Sequence, residues 1–282
     1  MSDVQSTIGT AYTPAGEPAD DLQGGLPRWT LGMVGRPLLF VASLLIALGL
    51  WVLVARLVAQ PVFFPSPLQT WRGAVDLIHQ GLLQKSIRVS FTRIIVGWVI
   101  GCGIGIPLGF AMGRVLIVRL LVEPYVEFFR FVPPIAFLTL TVTWFGLGET
   151  AKVILIVWTT LFIVAISTMI GVLNVDDDKL EAARSLGANE FQVFRTVTIP
   201  AAVPHIVTGM KLAMGNSFMT VVSAEMIAAS AGVGWLIFNS RLYLLTSWIF
   251  VGIITLGLMG LTTDLVFRTI VRLFLRRYNV KV

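Results

Sequence analysis

Long apolar stretches alternate with short polar ones along the chain. Residues 37–55 run for 19 positions without a charge. About 20 apolar residues in a helix cross the hydrocarbon core of a bilayer, so this stretch predicts a first spanning helix. The prolines within 60–67 end it and force an extended turn. Residues 68–88 interleave Trp71, Asp76, His79 and Lys85 with apolar positions and predict a short amphipathic helix at the far face. Further spans are predicted at 94–113, 131–148, 153–175, 212–229 and 242–263, with 231–235 as a turn or partial helix. The expected fold class is an all-α integral membrane protein with six transmembrane helices.

Two spans carry internal patterns. In the second, Gly97, Gly101, Gly105, Gly109 and Gly113 recur every fourth residue and share one helical ridge. Such small-residue ridges let membrane helices approach closely, so these five are helix-packing residues, and Pro107 is expected to kink the helix. The third span is entered through Glu123, Glu127 and Arg130, and Pro133-Pro134 breaks its first turns.

The most polar internal segment is 176–200. Asp176, Asp177 and Asp178 suit a helix N-terminus, 180–186 is good helix sequence, and Gly187 is a C-terminal stop. Asn189 caps a second short helix with Phe191, Phe194 and Val197 on one face, and Pro200 closes the unit. The segment predicts a helix–Gly–helix hairpin standing outside the membrane.

Composition agrees: 56% of the 282 residues are hydrophobic and 13% charged, about half the charge of a soluble domain. The one cysteine, Cys102, excludes an internal disulfide, and His79 and His205 are too far apart to build a metal cluster. No Gly-Lys pair occurs, so the chain lacks the usual phosphate loop and is not expected to hydrolyse ATP itself. Net charge is +6: residues before Arg28 carry −4 and the remainder +10. Residues 1–27 read as a disordered tail without the basic start or early apolar core of a signal peptide. No basic stripe interleaved with aromatics points to nucleic acid. With the N-terminus inside, 13 Lys and Arg fall on the inner side, Lys211 and the five C-terminal cations among them, against 7 outside, Arg93 and Lys152 among those. The bias places both termini and the hairpin in the cytoplasm.

Polar residues within spans are candidate site residues. An arginine at membrane depth needs a partner or water; Arg130 attracts an anion in a pathway or pairs with Glu127 one turn away. Asn216 and Glu225 lie nine residues apart, near one helix face, with Ser217, Thr220 and Ser223. That polar side lines a translocation pathway or bonds a neighbouring helix.

The hairpin carries a resemblance. Glu181-Ala182-Ala183, three residues, Gly187, nine residues, then Val197-Thr198-Ile199-Pro200 resembles the EAA loop of ABC-importer membrane subunits. Pro65-Ser66-Pro67, the run from Trp144 to Gly148, and the run from Val221 to Met226 resemble the nitrate/sulfonate/taurine branch. The resemblance covers about residues 60–275. It implies a type I importer permease in the bacterial inner membrane, with Glu181, Ala182, Ala183, Arg184, Gly187, Phe191 and Pro200 coupling it to an ATPase. It implies a homodimer, two ATP-binding subunits that hold ATP and Mg, an extracytoplasmic solute-binding protein, and a small anion as cargo. This chain would then carry no cofactor and no catalytic residue. The organisation expected is a tail at 1–27, a first helix at 28–60, an outer loop with amphipathic helix at 61–88, a five-helix core at 89–275 and a basic tail at 276–282. An ion-gradient-driven secondary transporter and a non-transporting scaffold are the alternatives; the absence of a duplicated half speaks against the former.

Overall fold

The computed structural model describes residues 35–275. The expected tails at 1–27 and 276–282, with Arg28, Arg276, Arg277 and Lys281, lie outside these residues. All regular structure among them is helical: α1 Gly35–Val58, α2 Pro67–His79, α3 Leu82–Arg114, α4 Leu116–Arg130, α5 Pro134–Phe145, α6 Glu149–Leu173, α7 Asp177–Ser185, α8 Glu190–Val193, α9 Ile199–Ala228, α10 Val233–Leu242 and α11 Thr246–Phe274. The chain divides into two units at residue 50, within α1, and the packing described below is that of residues 51–275.

Five helical stretches are long and apolar enough to cross a membrane, and α4 with α5 forms a sixth candidate, bent by 101°. The six expected spans are thus present with different bounds. The second begins at Leu82, not at 94, because the amphipathic turns 82–93 are continuous with the apolar ones. The third is not one rod: Pro133 and Pro134 force the preceding residues out of helical geometry, and the chain turns between α4 and α5. The sixth runs to Phe274. The 231–235 turn opens a ten-residue helix, α10. On the outer loop, Ser66 caps α2: Gln69 N–H donates to its Oγ at 3.3 Å, and Ser66 N–H donates to Gln69 Oε1 at 2.8 Å.

α3, α6 and α9 form the centre. Lipid is as apolar as leucine, so close packing rather than the hydrophobic effect holds such helices together. The glycine ridge of α3 lies on α6. A Cβ added at Gly101 would sit 2.5 Å from Thr160 Cβ, and one at Gly109 would sit 2.5 Å from both Ala165 O and Thr168 Cβ. Gly97, Gly105 and Gly113 meet Ile156, Leu161 with Val164, and Val172 in the same way. Several large side chains of α3, Val96, Val99, Ile100 and Ile104, are exposed instead, while Ile94 and Met112 are buried with the glycines. Small residues inside and large ones outside is the arrangement of a membrane helix. Across α6, Ile94, Ile156, Met214 and Val221 close the packing onto α9.

Candidate functional site

The 176–200 segment forms a hairpin whose ends are fixed by local chemistry. Asp176 Oδ1 accepts from Asp178 N–H at 3.2 Å and caps α7. At the other end Gly187 takes φ +84°. Its N–H donates to Arg184 O at 2.9 Å, and Ala188 N–H donates to Ala183 O at 3.1 Å. This paired closure satisfies the last carbonyls of α7 and needs a residue at ease with positive φ. Asn189 and Gln192 then cap each other reciprocally at 2.8 and 2.9 Å to start α8.

Two expectations for the hairpin are corrected. Pro200 does not close the unit. Phe194–Thr198 is a π turn that carries α8 into α9, so Glu190–Ala228 is one helical stretch of 39 residues. A proline in an α-helix clashes with the carbonyl four residues back; the wider turn just before Pro200 relieves that clash. Phe191 does not share the packed face. Val193 and Thr198 are buried with Phe194 and Val197 half-buried beside them, whereas Phe191 is 69% exposed.

Charge braces the hairpin against a different span. Glu190 accepts from Arg184 Nε at 2.9 Å and from Arg114 Nη2, at the end of α3, at 2.5 Å. The Glu190 carboxylate holds the Arg184 guanidinium above its ordinary pKa. Arg114 also lies over the Phe194 ring, 5.3 Å from its centroid, and Phe194 meets Phe110 of α3 edge to face. Arg184 and Arg114 thus form one chain through Glu190. Glu181, Ala182, Arg184, Leu186, Gly187 and Phe191 are exposed and Ala183 is half-buried. The outward surface of the turn therefore combines charged side chains, Glu181, Arg184 and Glu190 among them, with small residues and two large apolar side chains, Leu186 and Phe191.

The polar candidates within the spans separate into two places. Arg130 and Asn216 line a cavity of about 130 Å³ with Thr159. Thr220 stands behind it, donating to Asn216 O at 3.0 Å and 3.5 Å from Thr159 Oγ1. Arg130 keeps its helical neighbour too: Nη2 is 3.5 Å from Glu127 Oε1. Glu225 is elsewhere. It is fully buried and accepts from Ser90 Oγ at 2.8 Å, Arg93 Nη1 at 2.7 Å and Gly234 N–H at 2.9 Å. Of its two expected roles, pathway lining and inter-helix bonding, the geometry realises the second.

Arg93 is the residue that sequence reading placed wrongly. Counted as an outer-loop charge, it lies inside α3 with 4% exposure. Besides Glu225 it donates to both oxygens of Glu149 at 2.5 Å and to Ala231 O at 2.7 Å. Lys152, also counted as outer, is buried with Nζ near Leu147 O, Gly148 O and Glu149. The cluster ties α3, α6, α9 and the start of α10 together. The available signal was charge balance, since a carboxylate deep in one span requires a cation in another. Lys211, counted with the inner charges, sits near the middle of the Glu190–Ala228 stretch.

Comparison with known proteins bears on this arrangement. Residues 105–280 match the family model described as binding-protein-dependent transport system inner membrane component. The taurine transport system permease protein of Escherichia coli (strain K12) is 34% identical over 251 residues, 87% of this chain and 91% of that protein. The nitrate import permease protein of Leptolyngbya laminosa is 32% identical over 205 residues, 69% of this chain and 73% of that protein. An inward-facing structure of the methionine ABC transporter MetNI matches with TM-score 0.56 at 20% identity, covering 67% of this chain and 95% of the matched one.

Proposed function

Since the chain belongs to the binding-protein-dependent transport inner-membrane-component family, a permease subunit and not an enzyme, we propose that it imports a small anion by alternating access, with residues 176–200 as the point where ATP-driven motion enters. The family works with an ATPase and a binding protein in the membrane. The finer assembly belongs to the proposal: two copies of this chain, two ATP-binding subunits that carry ATP and Mg, both termini cytoplasmic. The cargo class, a sulfonate, taurine or nitrate, is suggested by the relatives that carry such anions.

The observation that carries the coupling role is continuity. The exposed hairpin leads without a break into a 39-residue helix that packs on α6 in the centre of the protomer. It is also braced through Glu190 to the end of α3. A subunit docked on Glu181, Ala182, Leu186 and Phe191 would therefore move α9 and α3 together, and closure of an ATPase pair becomes rocking of these spans.

The test is ATP-driven uptake in proteoliposomes holding permease, ATPase and receptor. Gly187→Pro cannot adopt φ +84° and breaks the closure of α7. It is expected to insert normally yet lose uptake or the bound ATPase. Unchanged uptake would overturn the coupling role, and uptake driven by an ion gradient without ATP would overturn the importer reading.

A further inference from the structure

A lysine near the middle of a membrane-spanning helix is retained where it meets water or counter-charge. Lys211 meets both. It lines a cavity of about 720 Å³ between α9 and α11, with Thr208, Asn216 and Asp264 as the other polar residues. The space is made by absent side chains: a Cβ added at Gly215, Gly257 or Gly260 would meet nothing within 4 Å. Gly215 stands one turn above Lys211, and Gly257, Gly260 and Asp264 share one face of α11 opposite it.

The charges around the cavity do not cancel. Asp264 Oδ2 takes Arg268 Nη2 at 2.5 Å, one turn along α11, while Lys211 Nζ stands 3.9 Å from Oδ1, beyond hydrogen-bond distance. Asp264 is shared between two cations, held closely by Arg268 and only loosely by Lys211, so the three groups leave one positive charge in excess. Asn216, which walls this cavity, also walls the smaller one that holds Arg130. Two cation-bearing cavities thus meet at one amide.

We propose that Lys211 is an anion-binding station on the translocation route, taking an oxyanion of the sulfonate or nitrate type, with Asn216 as the wall shared with the Arg130 cavity. This rests on the anion-importer reading and assigns to it a residue and a place. The ammonium attracts the anion without directional demand; Asp264, held by Arg268, keeps the site from binding too tightly to release its cargo.

The test uses the permease–ATPase complex in phosphatidylcholine nanodiscs without receptor, and trifluoromethanesulfonate as probe, read by ¹⁹F line broadening. Broadening is expected, reversed by methanesulfonate, taurine or nitrate and not by dimethyl sulfone. Lys211→Gln should weaken it at least tenfold, Lys211→Arg should retain it, and Asp264→Asn should strengthen it. A merely structural role makes Asp264→Asn a loss, so its direction discriminates. Equal broadening in Lys211→Gln, or none in the wild type, overturns the proposal. In parallel, receptor-dependent uptake of taurine and nitrate is measured in proteoliposomes. Uptake of taurine and nitrate that Lys211→Gln leaves unchanged removes the station and leaves the importer reading standing; a wild type that carries only solutes lacking a sulfonate or other oxyanion group removes both. A Lys211→Gln defect confined to vesicles containing phosphatidylglycerol would assign the cation to a lipid headgroup and also overturn the station.

Discussion

Arg93 and Glu225 lie 132 positions apart in sequence, yet Arg93 Nη1 is 2.7 Å from Glu225 Oε1 and both side chains are buried. Removing one member of such a pair leaves an uncompensated charge, at a cost of roughly 3–5 kcal/mol, whereas replacing both by apolar residues of similar size is far better tolerated. Glu225→Ala is therefore expected to lower the thermal midpoint of the detergent-solubilised protein by many degrees. Arg93→Met with Glu225→Met should recover more than half of the loss. Size-exclusion recovery after heating measures both, and a double variant as unstable as the single one would show that the contacts to Ser90, Gly234 and Glu149 dominate.

The glycine ridge gives a contrast between neighbours. Gly101 and Gly103 share a helix, but a Cβ at Gly101 collides with Thr160 and one at Gly103 meets nothing within 4 Å. Gly101→Val should destabilise by about 1–3 kcal/mol or more through forced separation of α3 from α6. Gly103→Ala should be neutral or stabilise by up to about 1 kcal/mol. Both are read in one thermal-unfolding series.

Arg114 and Arg184 meet on Glu190 at the solvent-facing surface, where water and salt screen the charges and either bridge alone adds little stability. Arg114→Ala is expected to leave thermal stability nearly unchanged while lowering solute carried per ATP hydrolysed severalfold, because the end of α3 is released from the hairpin. An unchanged transport-to-hydrolysis ratio would count against that brace.

The buried single cysteine, Cys102, leaves the surface free for a reporter. Leu186 is 88% exposed at the hairpin tip. Leu186→Cys should react with an impermeant maleimide added from the cytoplasmic side only, and bound ATPase should protect it. Labelling from the outer side would reverse the orientation.

What the sequence disclosed was what is decided locally. The Asp176 cap, the Gly187 stop and the Asn189 cap each depend on residues within one turn, and all are present. The glycine ridge was legible because its period is that of a helix, although its partner, α6, was not named by it. The ends of the spans were misjudged because hydropathy marks lipid-facing residues, and α3 begins with amphipathic turns. The full length of α10, begun by the 231–235 turn or partial helix, escaped because ten residues that include Asn239, Ser240 and Arg241 carry no sustained periodicity. Pro200 misled because its usual effect is absorbed by a π turn that no local pattern announced. Arg93 misled because charge was assigned to loops by default, and only tertiary structure shows that it is buried.

The 39-residue stretch from Glu190 to Ala228 gives the protein a crankshaft. At 1.5 Å per residue, Lys211 stands roughly 30 Å along the shaft from Glu190, and α7 is joined at its foot. On the proposed coupling role, a push on Leu186 or Phe191 would arrive at Lys211 as torque as well as tilt. The π turn at Phe194–Thr198 is a compliant coupling in that shaft. Pro200→Ala removes the reason for the wider turn and should stiffen the coupling, which solute carried per ATP would register as a gain.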